Sequence, residues 1–61
     1  MPKEILVVDD DTAICEALER SLRIEGFSVN IAYDGLMAVR SIEETTPDLV
    51  ILDLNMPEMN G

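Results

Sequence analysis

Two uninterrupted apolar runs, Ile5-Leu6-Val7-Val8 and Leu49-Val50-Ile51-Leu52, each end abruptly on a carboxylate, Asp9 in one case and Asp53 in the other. A strand with one face in water alternates apolar and polar residues; these runs leave no face for water. Short continuous runs rich in β-branched residues suit strands buried on both faces, as in a parallel sheet covered by helices. That requirement governs the rest of the chain, because parallel strands need crossover connections.

The intervening segments supply them. Residues 11–26 place Ile14, Leu18 and Leu22 on one helical stripe with Ala17 beside it, while Glu16, Glu19, Arg20 and Arg23 lie off that face. Asp11 or Thr12 is suited to cap this helix, and Gly26 stands where a left-handed residue ends one. Glu16 and Arg20 are spaced for an i,i+4 ion pair. Phe27, Val29 and Ile31 then alternate with Ser28, Asn30 and Ala32, which predicts a half-covered strand. Asp34-Gly35 signals a turn or cap. Leu36, Val39 and Ile42, with Met37 and Ala38 nearby, predict a second helix over 36–44, which Thr45-Thr46-Pro47 breaks. The order is β-α-β-α-β. Short connections with right-handed crossovers make it an α/β unit, half of a doubly wound parallel sheet.

Sixty-one residues make one domain at most, and a chain this short buries only about 60% of the surface its unfolded form exposes. Thirteen acidic residues against four basic ones give a formal net charge of −9. Nucleic acid and anionic membranes are thereby excluded as direct partners of this segment, whereas a cation or a basic protein surface is compatible. Cys15 is the sole cysteine and there is no histidine, so neither an internal disulfide nor a usual zinc spacing exists. The first apolar run is too short for a signal peptide and nothing approaches the ~18 residues of a membrane span, so a cytoplasmic protein is expected.

In an open α/β sheet, ligands bind beyond the carboxyl ends of the strands. Asp9-Asp10-Asp11 follow the first run and Asp53 follows the third, so adjacent parallel strands would gather these carboxylates. Like charges that close need a cation between them. Oxygen ligands without His or Cys favour a hard ion, Mg²⁺ or Mn²⁺. Two carboxylates and a carbonyl around such an ion leave positions for water and a phosphoryl oxygen, and one carboxylate could then act as a nucleophile towards phosphorus.

ILVVDDD, then Asp34-Gly35, then DLVILDLNMPEMNG together resemble the first half of a response-regulator receiver domain, over the whole chain. The D-x-N-M-P-x-M-x-G segment with an upstream acid pair is the specific part. The resemblance implies a flavodoxin-like sheet with its first strands ordered 2-1-3. It implies that Asp53 accepts a phosphoryl group from a sensor histidine kinase or a phosphotransfer protein. It further implies that Mg²⁺ is held by Asp10 directly, Asp9 through water, Asp53, and the backbone carbonyl of Asn55. Pro57 and Gly61 match positions that shape the loop after the phosphoacceptor. A regulatory protein of two-component signal transduction is implied rather than a stand-alone enzyme, complete receivers catalysing their own phosphorylation and dephosphorylation. The family's fourth-strand Ser or Thr and fifth-strand Lys have no counterpart in these residues. Residues 1–61 therefore read as one truncated receiver lacking the last two strands, with Gly61 as a cut end.

Two alternatives stand beside that reading. Asp9 and Asp11 also fit the D-x-D-x-T/V pattern of haloacid-dehalogenase-type phosphatases, although Ala13 replaces the Thr or Val and DLNMPEMNG has no place there. Alternatively the chain is a structural half-domain that associates with itself through residues 49–53, since an uncovered third strand is a template for pairing. Asp11 and Asp34 read as cap or turn residues, Met56 and Met59 as packing or loop residues, and Cys15 as a plain helix residue near the buried stripe. Glu43, Glu44 and Glu58 read as solvated surface.

Overall fold

The computed structural model describes residues 3–52. Five elements follow in order: β1 (Glu4–Val8), α1 (Thr12–Ile24), β2 (Ser28–Ala32), α2 (Gly35–Glu44) and β3 (Leu49–Leu52). The strands form one parallel sheet in the order β2-β1-β3. Ile5 lies opposite Val29 and Leu49, and Val8 lies opposite Ala32 and Leu52. The α/β architecture expected from the sequence pattern and the 2-1-3 order implied by the resemblance are both present. No helix among the described residues is long and apolar enough to cross a membrane.

β1 is central, and that explains its composition. Ile5 and Val7 point into a core shared with Cys15 and Val29, against Leu18 and Leu22 of α1. Leu6 and Val8 point the other way, into a smaller core with Ala32 and Ala38 of α2. All four residues are buried, so the run needs no polar alternation. Their burial supplies roughly 6–12 kcal/mol of transfer free energy.

α1 rolls differently from the stripe its sequence suggests. Cys15 is fully buried and Leu18 and Leu22 are half-buried, whereas Ile14 is exposed. The buried line is therefore Cys15, Leu18, Leu22, at i, i+3 and i+7, which fits the helical period equally well. The ion pair also shifts by one turn. Arg23 meets Glu19 at 3.0 Å, the sole salt bridge among the described residues, in place of Glu16 with Arg20. Arg23 gains a second acceptor there, the Val29 carbonyl at 3.2 Å, and so ties the end of α1 to β2.

The helix ends follow local chemistry. Asp11, not Thr12, caps α1, its Oδ1 accepting from the N–H groups of Ala13 at 2.9 Å and Ile14 at 3.3 Å. At the other end Gly26 takes φ +101°. Its N–H donates to the Arg23 carbonyl at 3.0 Å and that of Phe27 to the Leu22 carbonyl at 3.0 Å, the two bonds of a Schellman motif. Phe27 and Leu22 both pack against the α1-side core. Asp34 caps α2 by accepting from the Met37 N–H at 2.8 Å.

α2 is less covered than its sequence suggests, whereas β3 is the partly uncovered edge that the half-domain reading expects. In β3, Leu49 and Leu52 are 54% and 63% exposed, and Ile51 alone packs against the α1-side core. Among the described residues β3 pairs on one side only, with β1, so it is an edge. Leu36, Val39 and Ile42 are likewise exposed, and α2 contacts the core through Ala38. Apolar composition marks a residue's preference for burial; a neighbouring layer is needed to satisfy it. β3 is pinned at its start by Asp48, whose N–H donates to the Glu4 carbonyl at 2.8 Å and whose Oδ2 accepts from the Glu4 N–H at 2.7 Å.

Candidate functional site

The carboxyl end of β1 carries the acidic residues. β1 stops at Val8 and α1 starts at Thr12, so Asp9, Asp10 and Asp11 make the whole connection. Their environments differ sharply. Asp11 is the helix cap and is exposed, and Asp10 is exposed. Asp9 is 2% exposed, the one buried charged residue among those described.

Asp9 is held at three points. Its N–H donates to the Ala32 carbonyl at 3.1 Å, extending the β1–β2 ladder one residue past the strand. Its Oδ1 accepts from the Asp11 N–H at 2.9 Å. Its carbonyl accepts from the Cys15 thiol at 3.3 Å, in the core. Oδ2 is buried and has no hydrogen-bond partner among the described residues. A buried carboxylate oxygen without a partner costs folding free energy, since it has lost water and gained nothing. With nine excess negative charges on the chain, a cation is the chemically obvious complement.

The donor set at the end of β1 fits a hard cation. Asp9 offers a buried oxygen with no partner among the described residues and Asp10, the next residue, an exposed carboxylate, both oxygen ligands of the kind Mg²⁺ takes. Asp53 and Asn55, the other expected ligands, lie outside the described residues, as do Pro57 and Gly61. Among the described residues no three acidic, His or Cys side chains converge on one point. Val8 pairs with Leu52, so β3 delivers the chain to the neighbourhood of Asp9 one residue before Asp53.

Asp11, the second carboxylate of the phosphatase pattern, is occupied by two backbone N–H groups of α1. That weighs against the phosphatase alternative. Asp34 is a cap, as expected. Cys15 plays more than the plain helical part expected of it. It is buried at the base of the acidic loop, and burial first, then the charges of Asp9, Asp11 and Asp10, push its thiol above the ordinary value of 9.0. The thiol is therefore protonated at neutral pH and able to donate. Its place three residues before Leu18 was the signal available in sequence.

The model of the response regulator receiver domain family matches residues 5–61. The transcriptional regulatory protein PrrA of Mycobacterium leprae (strain TN) is 51% identical over 57 residues, covering 93% of this chain and 24% of that protein. The response regulator MprA of Mycobacterium sp. (strain KMS) is 51% identical over 61 residues, covering 100% of this chain and 26% of that protein. The chain thus spans about a quarter of the length of the curated relatives it matches.

Proposed function

The chain belongs to the response regulator receiver domain family of two-component systems, and from that premise we propose that it acts as a phosphoacceptor, with Asp53 taking a phosphoryl group from a sensor histidine kinase or a phosphotransfer protein. The observation that carries the reading is the Asp9 carboxylate, buried at the carboxyl end of the central strand with one oxygen unpartnered among the described residues. A fold of marginal stability that tolerates such a group has a use for it.

In this reading Asp10, Asp9, Asp53 and the Asn55 carbonyl hold Mg²⁺, with Mn²⁺ as a substitute. The bound ion supplies neutralisation of charge on the phosphoryl oxygens during transfer. An Asp53 carboxylate oxygen attacks phosphorus, the phosphorus–nitrogen bond of the donor phosphohistidine breaks, and the imidazole leaves with the electron pair. The product is an acyl phosphate on Asp53. Asp9, anchored through N–H, carbonyl and Oδ1, presents Oδ2 without reorganisation, and Asp10 adds its charge from the solvent side. The role is regulatory: the chain receives the group and a change of state follows.

The direct test is incubation with acetyl phosphate and Mg²⁺, followed by intact mass. One added phosphoryl group in the wild-type chain, absent in Asp53→Asn and without Mg²⁺, is the expected result. An unmodified wild-type chain under those conditions refutes the reading for these 61 residues.

A second reading is favoured by β3. Among the described residues its outer edge pairs with no strand and its side chains are mostly exposed, which suits pairing with β3 of a second copy. Sedimentation equilibrium would show mass rising with concentration. A monomer throughout removes this reading.

A further inference from the structure

We infer that Cys15 is a positioning residue for the cation site, its thiol holding the Asp9 carbonyl so that both neighbouring carboxylates stay aimed. The inference rests on the reading of Asp9 and Asp10 as cation ligands. Asp9 falls between β1 and α1 and is buried; its N–H goes to the Ala32 carbonyl of β2. Among the described residues the group that donates to the Asp9 carbonyl is the Cys15 thiol, at 3.3 Å. Buried carbonyls without a donor are disfavoured, so this contact has a definite task.

Its reach exceeds its strength. The Asp9 carbonyl lies in the same rigid peptide plane as the Asp10 N–H. Holding that oxygen fixes the plane's rotation, and with it the direction in which Asp10 leaves the backbone. One residue further on, the Asp11 N–H turns back to Asp9 Oδ1 at 2.9 Å, which leaves Oδ2 as the atom unpartnered among the described residues. If the thiol were lost, the plane would be free to turn, the Asp11 bond would loosen, and both carboxylates would become less ordered.

Cys15 also fills core space between Ile5, Val7 and Val29, and this role predicts a different pattern. Cys15→Val keeps an apolar filler and removes the donor. Cys15→Ser keeps a donor but is polar in the core, and Cys15→Ala keeps neither. A filler alone would make Mg²⁺ affinity follow stability, with valine good and serine poor. A positioning role makes affinity follow the donor instead.

Mg²⁺ is titrated into each 61-residue variant at constant ionic strength, monitoring the amide resonances of Asp9, Asp10 and Asp11. Serine should stay close to wild type, while valine and alanine weaken binding roughly 10-fold, the lower end of the range for groups behind a metal ligand. Hydrogen exchange in EDTA gives a metal-free readout. The Asp11 amide should lose protection in the valine variant while the Asp9 amide, bonded to Ala32, keeps it. Should serine fail to fold, valine and alanine still decide by both readouts. A valine variant with wild-type Mg²⁺ affinity and a protected Asp11 amide overturns the inference. If wild type shows no Mg²⁺ response that Asp9→Asn abolishes, the cation reading has failed, and the Asp11 amide alone then judges the role of Cys15.

Discussion

Asp9→Asn should make the metal-free chain more stable and at the same time abolish its stabilisation by Mg²⁺. Asp9 is 2% exposed, and one of its carboxylate oxygens has no partner among the described residues. Leaving a buried polar group unsatisfied costs about 1–3 kcal/mol, more when it is charged. Asparagine keeps an oxygen for the Asp11 N–H and removes the charge, but its amide protons need acceptors of their own. A net gain on the order of 1 kcal/mol in EDTA follows, which in a domain of this size raises Tm by about 4–8 °C. Mg²⁺ at ten times its Kd should add about 1.4 kcal/mol to wild type and nothing to the variant. The order of stabilities in EDTA is thus levelled or reversed by the ion. Urea denaturation followed by circular dichroism, in EDTA and in Mg²⁺ against sodium chloride of equal ionic strength, measures both terms. The salt control matters because a chain of charge −9 is stabilised by any screening cation. If Asp9→Asn is less stable in EDTA, or gains as much from Mg²⁺ as wild type, Asp9 is not a carboxylate kept for a cation.

Gly26→Ala should cost about 1–2 kcal/mol by urea titration, all of it conformational, because φ is +101° and nothing lies within 4 Å of an added Cβ. Asp34→Ala removes the cap of α2 and should cost about 1 kcal/mol, with a partial loss of helical ellipticity. Leu6→Ala, at a fully buried position in the central strand, should cost about 2–5 kcal/mol and leave the chain largely unfolded by far-ultraviolet circular dichroism. The Cys15 thiol, raised by burial and by its acidic neighbours, binds its proton more tightly folded than unfolded. Its contribution is therefore complete below pH 9.0 and lost as pH climbs above that value; the decline should be shallower in Cys15→Ala than in wild type, and equal slopes would contradict it.

Which parts could be read in advance depended on whether the determining physics was local. Asp11 and Asp34 as caps, and Gly26 as the left-handed terminus of α1, follow from hydrogen bonds and torsions spanning a few residues, and these positions were legible. The roll of α1 was not. Ile14-Leu18-Leu22 and Cys15-Leu18-Leu22 fit one helical period equally well, and the sheet beneath selects the second. The Glu19–Arg23 pair was likewise chosen by a distant group, since Arg23 also reaches the Val29 carbonyl and Arg20 is not given that acceptor.

The sequence by itself determined the order of elements, the parallel sheet and the acidic character of its carboxyl end, because apolar runs, helical period and the need for crossovers leave few alternatives. Only the tertiary structure decided which carboxylate is buried and which is exposed. Asp9, Asp10 and Asp11 are identical in chemistry and adjacent in the chain. They part company because β2 takes the Asp9 N–H, α1 supplies a thiol for its carbonyl, and the Asp11 N–H closes on one of its oxygens. Burial is a property of the neighbours a residue is given, and those neighbours come from Ala32 and Cys15, which lie along different elements of the fold.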